Sequence, residues 1–523
     1  MSAYWPVEPH ENKKVVPMVV MMFLIAFCYT LLRDLKDVLV LDTMTTSAMP
    51  FLKLGLTLPA SVIIMLTYTK MTTKMSSSSI FYSFMAFFIS FFLLYGAVLY
   101  PLQEWIEPGD EWISQFVKPT KEDYDNAHKS GKPVLGRDDC TFPQGLAPVM
   151  MILGRWSTAL LYVMSELWGS VVLSLLFWGY ANEICRTDEA KRFYFLFNIG
   201  ANFSLMFSGA ILITIGAITG DKKSTKSSGD AMYPLLGLVV VFGCVIVAIY
   251  RWMQNNVLTD PRLYAPLGAE AGAKKRGKVK LGFTEGLKVV FTSSYVAYIG
   301  IIVMMYGMCV NFVEIYYKDA WRHYFPSVGQ KLMFSGAFSM GTGVVALLLL
   351  IFVGGKAIRT IGWTRTALIS PISIVTVGVP FMALFMFQKR FSFMASAVLV
   401  ALGYIAVVIA KSFKYSFFDP TKEMAFIPLG EDRGRAKAAV DVVGARLGKS
   451  GGGLIQIVLL NCFGTKDVSG IVEVLVVLTM VMVAIWIVGT VSLGKQYRAK
   501  VGEHEERPIT VVVAKATPAP ETC

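Results

Sequence analysis

The residues best placed to do chemistry in this chain are charges set in apolar surroundings. Arg33, Asp34, Lys36 and Asp37 close one apolar run, and Arg155 and Glu166 lie in another. Glu314 and Lys318 close a third, Lys411, Lys414 and Lys422 follow a fourth, and Asp441, Arg446 and Lys449 lie in a fifth. A charge near the centre of a membrane helix costs about 2.5–3.5 kcal/mol or more, so it marks a transport path or an ion pair. On a helix Arg33 and Lys36 share a face, with Asp37 one turn beyond Arg33, and Arg446 and Lys449 share another. The two cation pairs could converge on one anionic substrate, arginine holding phosphate through two parallel bonds and lysine adding a point charge. Glu166 and Glu314 would then partner these cations in an empty site, or carry a proton. Snorkelling of charged side chains from span ends is the competing account.

A second phosphate signal is weaker. "GARLGKSGGG" (444–453) resembles the end of a P-loop, but Val443 occupies the place of the first glycine. A P-loop also needs a preceding buried strand and a magnesium-binding acid, and the apolar run here offers neither. The glycines read instead as places of close helix contact and bending.

These residues must be positioned by membrane helices. Of 523 residues, 55% are hydrophobic and only 16% charged, against about 25% charged in soluble proteins. Apolar runs long enough to cross a bilayer recur throughout, and twelve spans are expected: 15–33, 51–69, 80–100, 152–182, 193–219, 232–253, 289–312, 333–353, 366–387, 391–411, 437–463 and 469–493. The fold class is therefore all-α and polytopic. The net charge of +13 fits basic loops on one membrane face better than nucleic-acid binding. "KMTTK" (70–74), "AKKRGKVK" (273–280), "KAIR" (356–359) and "GEDRGRAK" (430–437) fall on one side, while the 101–147 interruption, with nine acidic and five basic residues, falls on the other. The basic side is expected to be cytoplasmic, with both termini there. Seven cysteines without close pairing and four histidines without ligand spacing give no disulfide, metal or cofactor framework. No H-E-x-x-H or G-x-S-x-G motif points to an enzyme.

The chain divides in two. "YTLLRDLKD" after the first run is echoed by "NFVEIYYKD" in the seventh, "YTKMTTKM" by "GGKAIRTIGW", and "RFYFLFNIGAN" by "AKAAVDVVGAR". This order implies two six-helix halves, 1–253 and 289–494, joined by a basic linker at 254–288 and followed by a disordered tail at 495–523. A parallel repeat of this kind is the major-facilitator-like layout, with substrate at mid-membrane between the halves.

"LRDLKDVLVLDT", "MPFLKL", "SELWGSVVLSLLFWGYANEICRTDEAKRFY", "NVLTDPRLY", "KYSFFDPTKEMAFIPLG" and "KAAVDVVGARLGKSGG" closely resemble the ATP/ADP translocase family of nucleotide transporters of chlamydiae, rickettsiae and plastids. The resemblance runs along nearly the whole chain. It implies a twelve-helix carrier in a bacterial inner membrane, most simply exchanging ATP for ADP, with phosphate, protons or other nucleotides as further substrates. It also gives weight to Lys36, Glu166, Glu314 and Lys449. The expected substrate-binding set is Arg33, Lys36, Arg155, Glu166, Glu314, Arg446 and Lys449. A proton-coupled nucleoside triphosphate importer or broad-range nucleotide exchanger, and a membrane nucleotide-hydrolysing enzyme or sensor, are the alternatives. One departure stands out: "LDTMTTSAMPF" (41–51) lacks the Gly and first Pro of the segment that resembles "TAPGSGAEAIPF" in many exchangers, which leaves nucleotide choice and coupling open.

Overall fold

The computed structural model describes residues 7–120, 123–124, 134–185, 187–220, 226–260, 263, 293–391, 394–432, 436–437, 440 and 445–505. Eleven described helices are long and apolar enough to cross a membrane. They are α1 (Asn12–Thr43), α2 (Ala48–Lys74), α3 (Ser77–Leu99), α4 (Trp156–Ile184), α5 (Arg192–Thr219), α6 (Asp230–Asn256), α7 (Ser294–Tyr324), α8 (Val328–Val353), α9 (Thr360–Phe391), α10 (Ser396–Leu429) and α12 (Val468–Lys500). The remaining expected span is represented by α11 (Ala445–Cys462). Most of the basic linker and the end of the expected tail, 506–523, lie outside the described residues, whereas 495–505 continues the last helix and is not a tail.

Two helices correct the expected boundaries. The first span was expected to stop at residue 33 and the seventh at 312, where charges interrupt the apolar run. Instead α1 continues to Thr43 and α7 to Tyr324, and the charges lie within them. A helix can carry a charge at that depth when a neighbouring helix supplies its counter-charge, and α1 does so at its buried Lys36 and Asp37. Helix starts are fixed locally where serine is available. Ser76 Oγ accepts from Ser79 N–H at 3.3 Å, and Ser327 Oγ accepts from Gln330 N–H at 3.2 Å.

α5 and α8 run antiparallel against each other through glycines. A Cβ on Gly209 would stand 2.5 Å from the Gly336 carbonyl oxygen, and one on Gly216 2.6 Å from the Gly329 carbonyl oxygen. Only the missing side chains let the two backbones approach this closely. The contact joins the first six spans to the later ones along the part of α5 farthest from the N-terminus.

That distal end is sealed by polar contacts as well. Lys331 Nζ lies 2.8 Å from Asp42 Oδ1, Arg322 Nε donates to the Leu41 carbonyl at 3.0 Å, and Thr46 Oγ1 donates to Asp319 at 2.8 Å. Ser47 Oγ donates to the Lys466 carbonyl, and Lys466 Nζ reaches Asp123 at 2.6 Å. Burial pushes the Asp123 carboxyl up, but Lys466 outweighs it and holds the group below its ordinary value. Asp467 differs: burial, with Asp123 and Asp319 nearby, pushes its carboxyl up to about 6 despite Lys466 and Arg322.

Two outcomes are expected. Gly209→Leu should force α5 from α8 and lower the thermal stability of the detergent-purified protein by about 1–3 kcal/mol. The Asp467 carboxyl binds its proton more tightly folded than unfolded, where its value is about 3.9. Its contribution to stability therefore grows as pH falls from 7 through 6. Asp467→Asn should remove that part of the pH dependence between pH 7 and 5, read as the difference between the two proteins' unfolding midpoints.

Candidate substrate cavity

Between the two sets of helices, on the proximal side of this seal, lies a cavity of about 580 Å³. Six cationic side chains line it: Arg33, Lys36, Lys53, Lys318, Lys411 and Lys414. Three carboxylates, Asp37, Glu166 and Glu314, face them, while Arg33 and Lys414 pair with Asp34 and Asp419 just outside the lining, so among the described residues the cations exceed their carboxylate partners by one. Its deep part takes Lys36 from α1, Lys53 from α2 and Lys318 from α7. The proximal part is lined by neutral groups, among them Leu58, Ser61, Leu173, Ser174 and Tyr306.

The charges form one alternating chain. Lys36 Nζ lies 3.0 Å from Glu166 and 2.7 Å from Asp37 Oδ1. The other oxygen of Asp37 lies 2.7 Å from Lys318 Nζ. Lys318 lies 3.3 Å from Glu314 Oε1, and the same oxygen lies 3.1 Å from Lys411. The series Glu166–Lys36–Asp37–Lys318–Glu314–Lys411 thus runs through α4, α1, α7 and α10. Lys36 and Lys318 stand at matching places in "LLRDLKD" and "EIYYKD", so two repeat-related lysines meet on one carboxylate. Lys36 Nζ also lies 3.8 Å from the Tyr162 ring centroid, and Lys411 Nζ 4.8 Å from that of Phe338. An ammonium over a ring face keeps an electrostatic partner without being neutralised.

Several helices lose regular geometry where they line the cavity. Leu52–Thr57, Gly169–Phe177 and Lys414–Phe418 are π-helical turns. Pro59 and Pro420 follow two of these turns. A proline has no N–H for the carbonyl four residues back, which here belongs to Gly55 and Ser416, and a widened turn absorbs the missing bond.

The expected site residues separate into three groups. Lys36, Glu166 and Glu314 come together in the cavity. Arg33 lines it too, while its guanidinium bonds Asp34 at 2.9 Å and Ser339 Oγ at 2.7 Å; Ser339 in turn donates to Asp34. Arg155 does not join them. It stands just before the start of α4 and pairs with Glu107 at 3.4 Å and Asp110 at 2.5 Å. The acids that claim it lie in the 101–147 segment, and they anchor that segment to α4. Arg446 and Lys449 lie on α11, but their side chains are outside the described residues, as is Asp441 altogether. The glycines beside them pack tightly: a Cβ on Gly448 would lie 3.0 Å from the Met304 carbonyl oxygen of α7. "GKSGGG" therefore serves helix contact in a continuous helix, with no strand before it among the described residues.

Lys53 escaped the sequence reading. It stands alone in "PFLKLGL", with no second charge at helical spacing to draw attention. The cost of a lysine in an apolar run was the signal that could have found it. Asp37, Lys318, Lys411 and Lys414 were visible as charges but not as members of one site.

Residues 1–122 and 132–497 match the family model described as TLC ATP/ADP transporter. The chain is 38% identical over 510 residues to ADP,ATP carrier protein 1 of Chlamydia pneumoniae, covering 95% of this chain and 94% of that one. It is 35% identical to ADP,ATP carrier protein 1 of Rickettsia bellii, covering 96% and 97%. It is 36% identical to the chloroplastic ADP,ATP carrier protein 1 of Arabidopsis thaliana, covering 95% and 76%. Among solved structures, a bacterial homologue of iron transporter ferroportin in an inward-facing state is similar at a TM-score of 0.54 and 12% identity, covering 93% of this chain and 100% of that one. That likeness bears on the fold alone, and the expected all-α polytopic membrane class stands.

The shared carboxylate gives a direct test. Asp37→Asn would leave Lys36 and Lys318 competing for Glu166 and Glu314. Breaking a buried pair from one side costs about 3–5 kcal/mol. Thermal unfolding of the purified, ligand-free variant should show a loss of that order, and Asp37→Glu should lose less.

Proposed function

Since the chain belongs to the TLC ATP/ADP transporter family, we propose that it carries nucleotides across a membrane by alternating access, exchanging ATP for ADP. The observation that carries this reading is the cavity: it lies between the two sets of helices, is closed by the distal contacts at one end, and holds an excess of cations near that end. A polyphosphate supplies the negative charge that such a lining lacks. Arginine and lysine are the side chains that bind it.

Ion pairing explains why exchange would be obligatory. Opening the distal end pulls α1 from α7 and so breaks the bond between Asp37 and Lys318. In the empty carrier this leaves buried charges without partners, at a cost of several kcal/mol. With phosphate in place, Lys36 and Lys318 keep an anionic partner throughout, and the barrier falls. Arg33, Lys36, Glu166 and Glu314 act in this cycle as binding and balancing groups, and Arg446 and Lys449 on α11 are assigned to the same substrate. The two six-helix halves, 1–253 and 289–494, move as the rocking units. The proximal end, with both termini and the basic loops, faces the cytoplasm of a bacterial inner membrane, in keeping with the charge asymmetry of the loops.

ATP carries about one more negative charge than ADP, so each exchange moves charge, worth about 2.3 kcal/mol per 100 mV. Purified protein in liposomes should take up labelled ATP only when ADP is inside, and faster when the interior is made positive. Uptake indifferent to internal ADP and abolished by a protonophore would overturn exchange in favour of proton-driven import.

A further inference from the structure

We infer that Leu102 and Trp105 dock the connection between α3 and α4 onto the lipid headgroups of the distal leaflet, so that this segment lies on the membrane surface. Only the crossing of the membrane by α3 is needed for this, whatever the cavity carries.

The apolar face that α3 shows to lipid does not stop where the span does. Phe87, Leu94, Val98 and Leu102 are exposed in succession at helical spacing, and Trp105 follows one turn later. The backbone continues with them. Past Leu99, the last residue of α3, Leu102 N–H bonds the Val98 carbonyl at 3.2 Å. Trp105 and Ile106 N–H both bond the Leu102 carbonyl, at 2.8 and 3.1 Å. Trp105 is 88% exposed, the most of any large apolar side chain among the described residues. With Leu102 at the hydrocarbon edge, Trp105 stands one helical turn further, about 4.5 Å along the axis, inside a headgroup layer about 5–7 Å deep. There the ring is covered while its N–H stays wet, the setting that tryptophan favours.

The other side of the same turn is fixed to the protein, so Trp105 projects from the free side. Glu107 is buried. Its Oε1 accepts from Ser157 N–H at 3.0 Å and Ser157 Oγ at 2.6 Å, and its Oε2 accepts from Gln103 at 2.9 Å. The Trp156 ring N–H donates to the Ile106 carbonyl at 3.1 Å. Gly109, at a φ of 74°, then turns the chain into a second short helix, Gly109–Ser114, whose Ile113 is buried against Gly154. Glu104, Asp110 and Glu111 stay exposed. The segment therefore has a charged wet side, a side pinned to α4, and one apolar projection continuous with the lipid-facing stripe of α3. That continuity selects lipid as the occupant.

The test uses the full chain in phosphatidylcholine vesicles, with Trp105→Tyr as the reference. The substitution changes an exposed ring, so the unfolding midpoint of the variant in detergent should match wild type. The chain has ten tryptophans, and the difference in indole emission between wild type and Trp105→Tyr isolates this one. Lipids brominated near the glycerol end of their acyl chains should quench that difference by about twofold or more. Lipids brominated at mid-chain should quench it less, and acrylamide in the water should quench it less than it quenches free tryptophan. Difference emission unchanged by either brominated lipid overturns the inference. Acrylamide quenching then places the ring in water, and protection from both places it against protein, such as a second copy of this chain. Stronger quenching from mid-chain than from the glycerol end also overturns it, because the ring then lies in the hydrocarbon.

Discussion

One carboxylate holds the centre of this molecule together. Asp37 stands between Lys36, its neighbour on α1, and Lys318 on α7, 2.7 Å from each. A buried charge without a partner is more costly than most single packing defects. The three groups therefore fix how closely α1 and α7 approach. Glu166 and Glu314 extend the alternation to either side, so α4 and α10 are drawn to the same centre. Apolar packing sets the helices side by side, but it is almost indifferent to their depth, because lipid and side chains are equally apolar. The ion chain supplies the vertical register that packing lacks.

The same chain makes the structure bistable in principle. The distal seal is built from contacts that are individually modest: two lysine–aspartate pairs, one arginine on a carbonyl, and hydroxyls from the α1–α2 connection. The glycine contact between α5 and α8 adds dispersion without adding bonds. What resists separation is the charge beneath the seal, and charge is the one term that an anionic ligand can replace. In the exchange cycle proposed above, binding and movement are joined through electrostatics.

Much of this was legible in the sequence, and the failures have physical causes. The class, and eleven of the twelve expected spans among the described residues, followed from apolar runs that only a membrane accommodates. Lys36, Glu166 and Glu314 were legible because each is expensive where it stands. The ends of α1 and α7 were not, since hydropathy stops at a charge whereas the helix stops only where its hydrogen bonds do. Arg155 was read as a substrate residue because its acid partners lie 45 and 48 residues upstream, in a segment whose fold no periodicity announces. Lys53 was passed over because it is single. Pairs at helical spacing attract notice, and a lone charge does not.

The segment that departs from the family pattern, "LDTMTTSAMPF", takes a different meaning from its surroundings. In sequence it follows the charged motif so closely that it bears on nucleotide choice. In the structure its residues face the seal and not the cavity. Thr46 donates to Asp319, Thr45 and Ser47 share a hydrogen bond at 2.8 Å, and Ser47 donates to the Lys466 carbonyl. Met44 and Met49 are buried beside them. Glycine and proline would shape this connection through its backbone, whereas threonine and serine shape it through side-chain hydroxyls that reach the later helices. Substitution here therefore alters how firmly the distal end is held shut. It acts on the contacts that close the distal end, whereas the cavity charges lie one to three turns deeper.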